Sequence, residues 1–255
     1  MDKIKTVWSP VVGSNLINFK NWILTDVKKI FQEELNFNIK EIEDSNSKNF
    51  IIYKNDESTG IYFHTNNSSR EIYINIYANG KIQTDYGLNF SIGYDSYYVP
   101  FNYCYSGDTI CFGFGRGGYT SSSDGGFLPQ CQFICSLATN IETDEQKYCY
   151  HISRNSSSGS TDLYYNFAIE NESTVFTTNR YLYNYFTIPK ALSCAPLILN
   201  GNNTYKIEKV YIPIIKPEPT FLYSKIYNCG NKNYLSIHST TNASNNYDLL
   251  FIDVT

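Results

Sequence analysis

Between Asn15 and Leu35 the apolar residues Leu16, Phe19, Ile23, Val27, Ile30 and Phe31 recur at intervals of three and four, with Lys20, Asp26, Lys28, Lys29, Glu33 and Glu34 mostly between them. That period gathers apolar side chains into one stripe, so it predicts an amphipathic helix covering one face of a sheet. Pro10 and Gly13 keep the helix from starting earlier, with Ser14 or Asn18 as its N-cap and Trp22 at the edge of the stripe.

After Leu35 the period drops from about 3.6 to about 2. Phe37, Ile39 and Glu41 alternate with Asn38, Lys40 and Ile42, and the runs Asn49 to Lys54, Gly60 to Thr65 and Glu71 to Ala78 are short and rich in Ile, Tyr and Phe. Polar clusters such as Asn55-Asp56-Glu57-Ser58 and Asn66-Asn67-Ser68-Ser69 separate them, and Asn79-Gly80 is a type I′ hairpin signal. The pattern predicts an antiparallel meander against the helix. Near the end, Thr204 to Ile215, Thr220 to Tyr227, Tyr234 to His238 and Tyr247 to Val254 read as four more strands. Pro213 demotes part of the first to an edge, and the apolar run Leu249 to Ile252 must be paired at home or with a neighbour to avoid aggregation.

These segments place the chain in the mainly β class: antiparallel sandwich or barrel-like sheets with one N-terminal amphipathic helix packed on a sheet. Residues 1–93 form the helix plus antiparallel meander. Residues 94–255 form a larger β-sandwich-like region with long Gly/Ser loops, unless the two parts make one continuous domain. The stretch from about Tyr94 to Ser160 looks least regular. Within it, Gly113, Gly115 and Gly118 mimic a dinucleotide fingerprint, but Tyr119 to Ser123 starts no helix, so the match fails. Gly113, Gly115, Arg116, Gly118 and Asp124 instead read as a contact loop at the rim of a sheet.

Composition sharpens the picture. Aromatics make up 16% of 255 residues, with 24 Tyr and 16 Phe, while charged residues are only 17%. Asn, Ser, Thr and Gly fill the gap, giving a surface that packs against neighbours with little charge desolvation. The net charge of −4 offers no basic footprint for phosphate backbones, so nucleic acid is not an expected partner. The first residues carry no continuous apolar run, which predicts neither a signal peptide nor membrane insertion, and hence a protein made and kept in a cytosol or released by lysis.

Candidate chemistry is sparse. The seven cysteines include no Cys-x-x-Cys pair, and Cys131 and Cys135 stand about 13 Å apart along a strand, too far for one zinc ion. Buried free thiols are the expectation. His64, His151 and His238 belong to no ligand pattern, and no Gly-x-Ser-x-Gly elbow occurs. No catalytic residue, metal site or cofactor is therefore expected. Two carboxylates suffice for glycoside hydrolysis, but Glu41, Glu43, Asp95, Asp162 and Glu170 are nominated without discrimination. The most distinctive feature is Arg180 to Phe186, where strand geometry sets Tyr181, Tyr183 and Tyr185 on one face. Such a row serves as core, as subunit interface or as ligand platform.

The block Gly93-Tyr94-Asp95-Ser96-Tyr97 and the hairpin Ile226 to Leu235 resemble segments of virion structural proteins from tailed phages of low-GC Gram-positive bacteria, over roughly a fifth of the chain. The resemblance implies a tail, baseplate or neck subunit, present as a homo-oligomer in a symmetric ring with other virion proteins, and transfers no catalytic residues. The alternatives are a carbohydrate- or receptor-binding module at a tail tip, touching a host surface glycan, and a cell-wall glycoside hydrolase.

Overall fold

The computed structural model describes residues 4–10, 16–44, 47–66, 71–91, 98–114, 131–153, 164–173, 175–179, 194–213, 226–229, 231–238 and 249–255. A short strand, β1 (Lys5–Trp8), precedes a helical run made of α1 (Leu16–Trp22), a π-helical turn (Ile23–Val27) and α2 (Lys28–Glu33). In the π turn the Lys28 N–H reaches the Ile23 carbonyl five residues back. Phe19, Trp22, Ile23, Val27, Ile30 and Phe31 are all buried, so the apolar stripe persists through it. Trp22, expected at the stripe's edge, lies in the core with its ring edge-on to Phe114 at 6.4 Å. The helix ends where Asn36 adopts a left-handed φ of 52°, a helix-terminating conformation that Asn tolerates.

The expected meander follows as a five-stranded sheet in chain order: β2 (Asn38–Asp44), β3 (Ser47–Tyr53), β4 (Gly60–Asn66), β5 (Glu71–Ala78) and β6 (Lys81–Ser91). Asn79 and Gly80 both have positive φ, 55° and 71°, as a type I′ turn requires. Phe50, Ile52, Ile61, Phe63, Ile72, Ile74 and Ile76 form one face and join the helix in a shared core.

The remaining strands are β7 (Pro100–Ser106), β8 (Thr109–Phe114), β9 (Cys131–Asn140), β10 (Gln146–Ser153), β11 (Tyr164–Ile169), β12 (Val175–Asn179), β13 (Cys194–Asn200), β14 (Thr204–Pro213), β15 (Ile226–Cys229), β16 (Lys232–His238) and β17 (Leu249–Asp253). With β1 they form a curled antiparallel twelve-stranded sheet ordered β1-β7-β8-β9-β14-β17-β16-β15. From this path β10, β11 and β12 branch at β9, and β13 pairs with β14.

Two changes of partner make the branch. Strand β9 pairs with β8 through Cys131–Cys135 and with β14 through Ala138–Asn140. Strand β14 then leaves β9 after Ile207 and meets β17 at Val210. Between those points Lys209 has a left-handed φ of 59° and donates through Nζ to the Ser106 hydroxyl at 2.8 Å. Ser136 fills the fork, 2.8 Å from the Thr109 hydroxyl and donating to the Glu208 carbonyl at 2.6 Å.

The stretch read as least regular thus supplies β7 to β10, the centre of the large sheet. Every residue of β8 is buried, because one face meets the aromatic core and the other a second, mostly aliphatic core around Leu197, Leu199, Ile207, Leu235, Leu250 and Ile252. Strands covered on both sides lose the alternation that reveals a strand. Strand β17 is paired at home, between β14 and β16, and Pro213 closes β14 beyond its last pair with β17. Among the described residues no helix is long and apolar enough to cross a membrane.

Candidate functional site

Strand β5 reads Glu-Ile-Tyr-Ile-Asn-Ile-Tyr-Ala, so Ile72, Ile74 and Ile76 turn inward while Tyr73, Asn75 and Tyr77 turn outward. The register carries this outward set across the sheet. Ile42, Asn49, His64 and Tyr73 form one row, Lys40, Ile51, Tyr62 and Asn75 a second, and Asn38, Tyr53, Gly60 and Tyr77 a third. Ile51 and Tyr62 are buried at the centre, whereas Lys40, Tyr53, His64, Tyr73, Asn75 and Tyr77 are part-exposed around them. The surface is therefore an aromatic and amide layer over an apolar floor.

Its rings are ordered. Tyr62 and His64 lie nearly parallel with centroids 6.1 Å apart, the Tyr62 hydroxyl stands 3.4 Å from His64 Nδ1, and Tyr73 follows at 5.8 Å from the imidazole. Lys40 sits near Tyr53 and Tyr77, and its ammonium donates to Glu57 at 2.8 Å; that bond raises its pKa. Strands β3 and β4 are pressed together at Gly60, where a Cβ would stand 2.2 Å from the Ile52 carbonyl oxygen.

The sheet is pinned by a buried polar joint to the large one. Glu170, 2% exposed at the end of β11, accepts at Oε1 from the Asn55 and Asp56 amides at 3.0 and 3.3 Å and from the Tyr150 hydroxyl at 2.9 Å. The Tyr150 oxygen accepts the Lys54 N–H at 2.7 Å. Burial, above all, pushes the Tyr150 phenol well up, so it acts here as a neutral donor. Lys54 Nζ donates to the Leu35 and Asn36 carbonyls at 2.7 and 2.8 Å, with its ammonium 4.3 Å from the centre of Phe37; burial lowers its pKa. It binds the carbonyl end of the helix, where a cation is favoured. Asn79 completes the joint by donating to the Ser173 carbonyl at 3.0 Å.

A second cluster occupies the far side of the β11–β12 turn. Glu172 accepts from Lys147 at 3.1 Å, from Asn203 at 3.3 Å and from the Tyr205 hydroxyl. Burial works to raise this carboxyl, but the bonds from Tyr205 and Lys147 outweigh it and hold the group below its ordinary range.

The sequence-predicted residues are scattered. Tyr181, Tyr183 and Tyr185 lie outside the described residues, as do Gly115, Arg116, Gly118, Asp124, Asp95 and Asp162. Gly113 is a buried strand residue, paired with Asn102 on β7 and Gln132 on β9, because β8 extends through it. Glu170 serves the joint and Glu41 pairs with Lys28 of α2. His151 is buried against Phe167 with ring centroids 4.5 Å apart. Cys104, Cys111, Cys135 and Cys149 are free and buried, with burial raising the thiol pKa of Cys111, Cys135 and Cys149. Among the described residues no three His, Cys, Asp or Glu side chains are grouped to hold a metal ion. The β5 face was missed although Tyr73-x-Asn75-x-Tyr77 repeats the spacing of Tyr181-x-Tyr183-x-Tyr185; its Ile partners made it read as ordinary strand.

Compared with known protein families, with curated proteins and with solved structures, the chain matches none.

Proposed function

We propose that the protein is a structural subunit of a bacteriophage tail, baseplate or neck that works by presenting surfaces. The observation that carries this reading is the position of its exposed apolar side chains. Ile198 (38% exposed) lies on β13 and Ile226 (46% exposed) on β15, strands with one described neighbour each. An isoleucine exposed on an open strand edge costs solubility unless another chain covers it, and edge pairing is a direct route to symmetric assembly. Sedimentation of the purified protein tests the reading. A ring-sized oligomer that Ile198→Lys or Ile226→Lys dissociates supports it; a monomer, absent from purified particles by mass spectrometry, contradicts it.

A second reading, a carbohydrate-binding module at a tail tip, is favoured by a different observation: the part-exposed Tyr53, Tyr73 and Tyr77 on the outer face of the five-stranded sheet.

A further inference from the structure

We infer that the outer face of the five-stranded sheet is a binding site for a neutral, hydroxyl-rich oligosaccharide; the inference rests on the carbohydrate-binding reading and locates its site. Three features select that ligand.

The first is charge. Among the described side chains of this face the one formal charge is Lys40, and Glu57 neutralises it at 2.8 Å. Among these described side chains a neutral ligand meets no unpaired charge, and an anionic or cationic polymer finds no counter-charge to displace its water. The second is the chemistry of the surface. Tyr53, Tyr73 and Tyr77 offer ring faces for the apolar C–H side of a sugar, and their hydroxyls, with the amides of Asn38 and Asn75, offer donors and acceptors for its hydroxyls. Ile82 of β6, 40% exposed and paired with Tyr77, adds an apolar edge to the same face. The third is shape. From the His64 and Tyr73 row to the Tyr53 and Tyr77 row is ~13 Å at about 3.3 Å per residue, and four strands span ~14 Å at about 4.8 Å spacing. A short oligosaccharide laid flat fits this area. The buried joint at Glu170 and the ring contacts among Tyr62, His64 and Tyr73 fix the layer before a ligand arrives, which lowers the entropic cost of binding.

The test is an array of neutral hexose and N-acetylhexosamine oligosaccharides with anionic glycans as comparison, read with the full chain and with Tyr73→Ala, Tyr77→Ala and Tyr77→Phe. The inference expects binding to neutral glycans only, a loss of tenfold or more in each alanine variant, and retention in Tyr77→Phe, which keeps the ring. Circular dichroism of each variant separates lost binding from lost fold. Neutral-glycan binding that survives both alanine changes in folded protein overturns this site while leaving the carbohydrate-binding reading standing. No glycan bound by the unaltered chain overturns both. Alanine variants that lose self-association while keeping glycan affinity reassign the face to a contact between copies and overturn the inference.

Discussion

The two sheets are built from similar residues but spend them differently. The five-stranded sheet joins neighbours in chain order and buries one face, leaving phenols, amides and one paired lysine on the other. The twelve-stranded sheet takes partners from far along the chain, β1 with β7 and β9 with β14, and at β8 has both faces covered. The second is covered on both sides at β8; the first keeps a part-exposed outer face, and the two share one aromatic core. The comparison shows why aromatic content alone does not reveal role. Phe31 packs against Phe37, Phe63, Phe101 and Phe112 at 4.9 to 5.9 Å, while Tyr73 and Tyr77 stand part-exposed on the opposite side of the same small sheet.

The strongest way to probe this contrast is at Phe31, which touches Phe63 of one sheet and Phe101 and Phe112 of the other. Phe31→Ala is expected to cost about 3–5 kcal/mol. Because the core is shared, tertiary signals from both sheets should be lost in one denaturant transition, and two separated transitions would show that the sheets fold independently. Next comes the polar joint. Glu170→Ala leaves the Asn55 and Asp56 amides and the Tyr150 hydroxyl without their acceptor, a loss of about 1–3 kcal/mol. Glu170→Gln keeps an acceptor and should cost less, as chemical denaturation can measure. A confined effect is predicted at Gly80, whose φ of 71° suits glycine: Gly80→Ala should cost about 1–2 kcal/mol and leave the twelve-stranded sheet's amide exchange unchanged.

Acid acts through the large sheet. Burial tends to raise Glu172 and Asp253, but hydrogen bonds from Tyr205 and Lys147 to the former, and from Lys232 and Thr255 to the latter, hold both below their ordinary values of 4.5 and 3.8. A carboxyl depressed in the folded state stabilises above its ordinary pKa, and that contribution is lost as pH falls from there through the folded value. The two sheets are expected to unfold together, so the thermal midpoint of the chain should drop below about pH 4.5, with a shallower drop in Glu172→Gln; an unchanged slope in that variant would remove Glu172 from the account. The smallest stability effect is expected for Ile226→Lys on exposed β15, within about 0.5 kcal/mol, while self-association is lost.

The helix and the small sheet were legible in the sequence because their signals are local. Phe19 to Phe31 keeps its spacing through a π turn, and Asn79-Gly80 dictates its own hairpin. The core of the large sheet was not. Pro-Phe-Asn-Tyr-Cys-Tyr-Ser and Thr-Ile-Cys-Phe-Gly-Phe are covered from two sides and show no alternation, and the fork at Ser136 and Lys209 depends on partners roughly 70 to 100 residues away in sequence. The tyrosine face was half legible: the alternation in β5 was visible, but which of several Tyr rows the fold leaves outward is decided by packing between sheets.

Tyrosine nitration followed by mass spectrometry tests most directly whether the small sheet holds the open recognition face. Tyr53, Tyr73 and Tyr77 should be nitrated readily in the folded chain, and Tyr150 and Tyr205, both 0% exposed, only on unfolding. Equal protection of all five would mean that the outer face is closed, and the contrast between a sheet covered on both sides and one with an open outer face would fail.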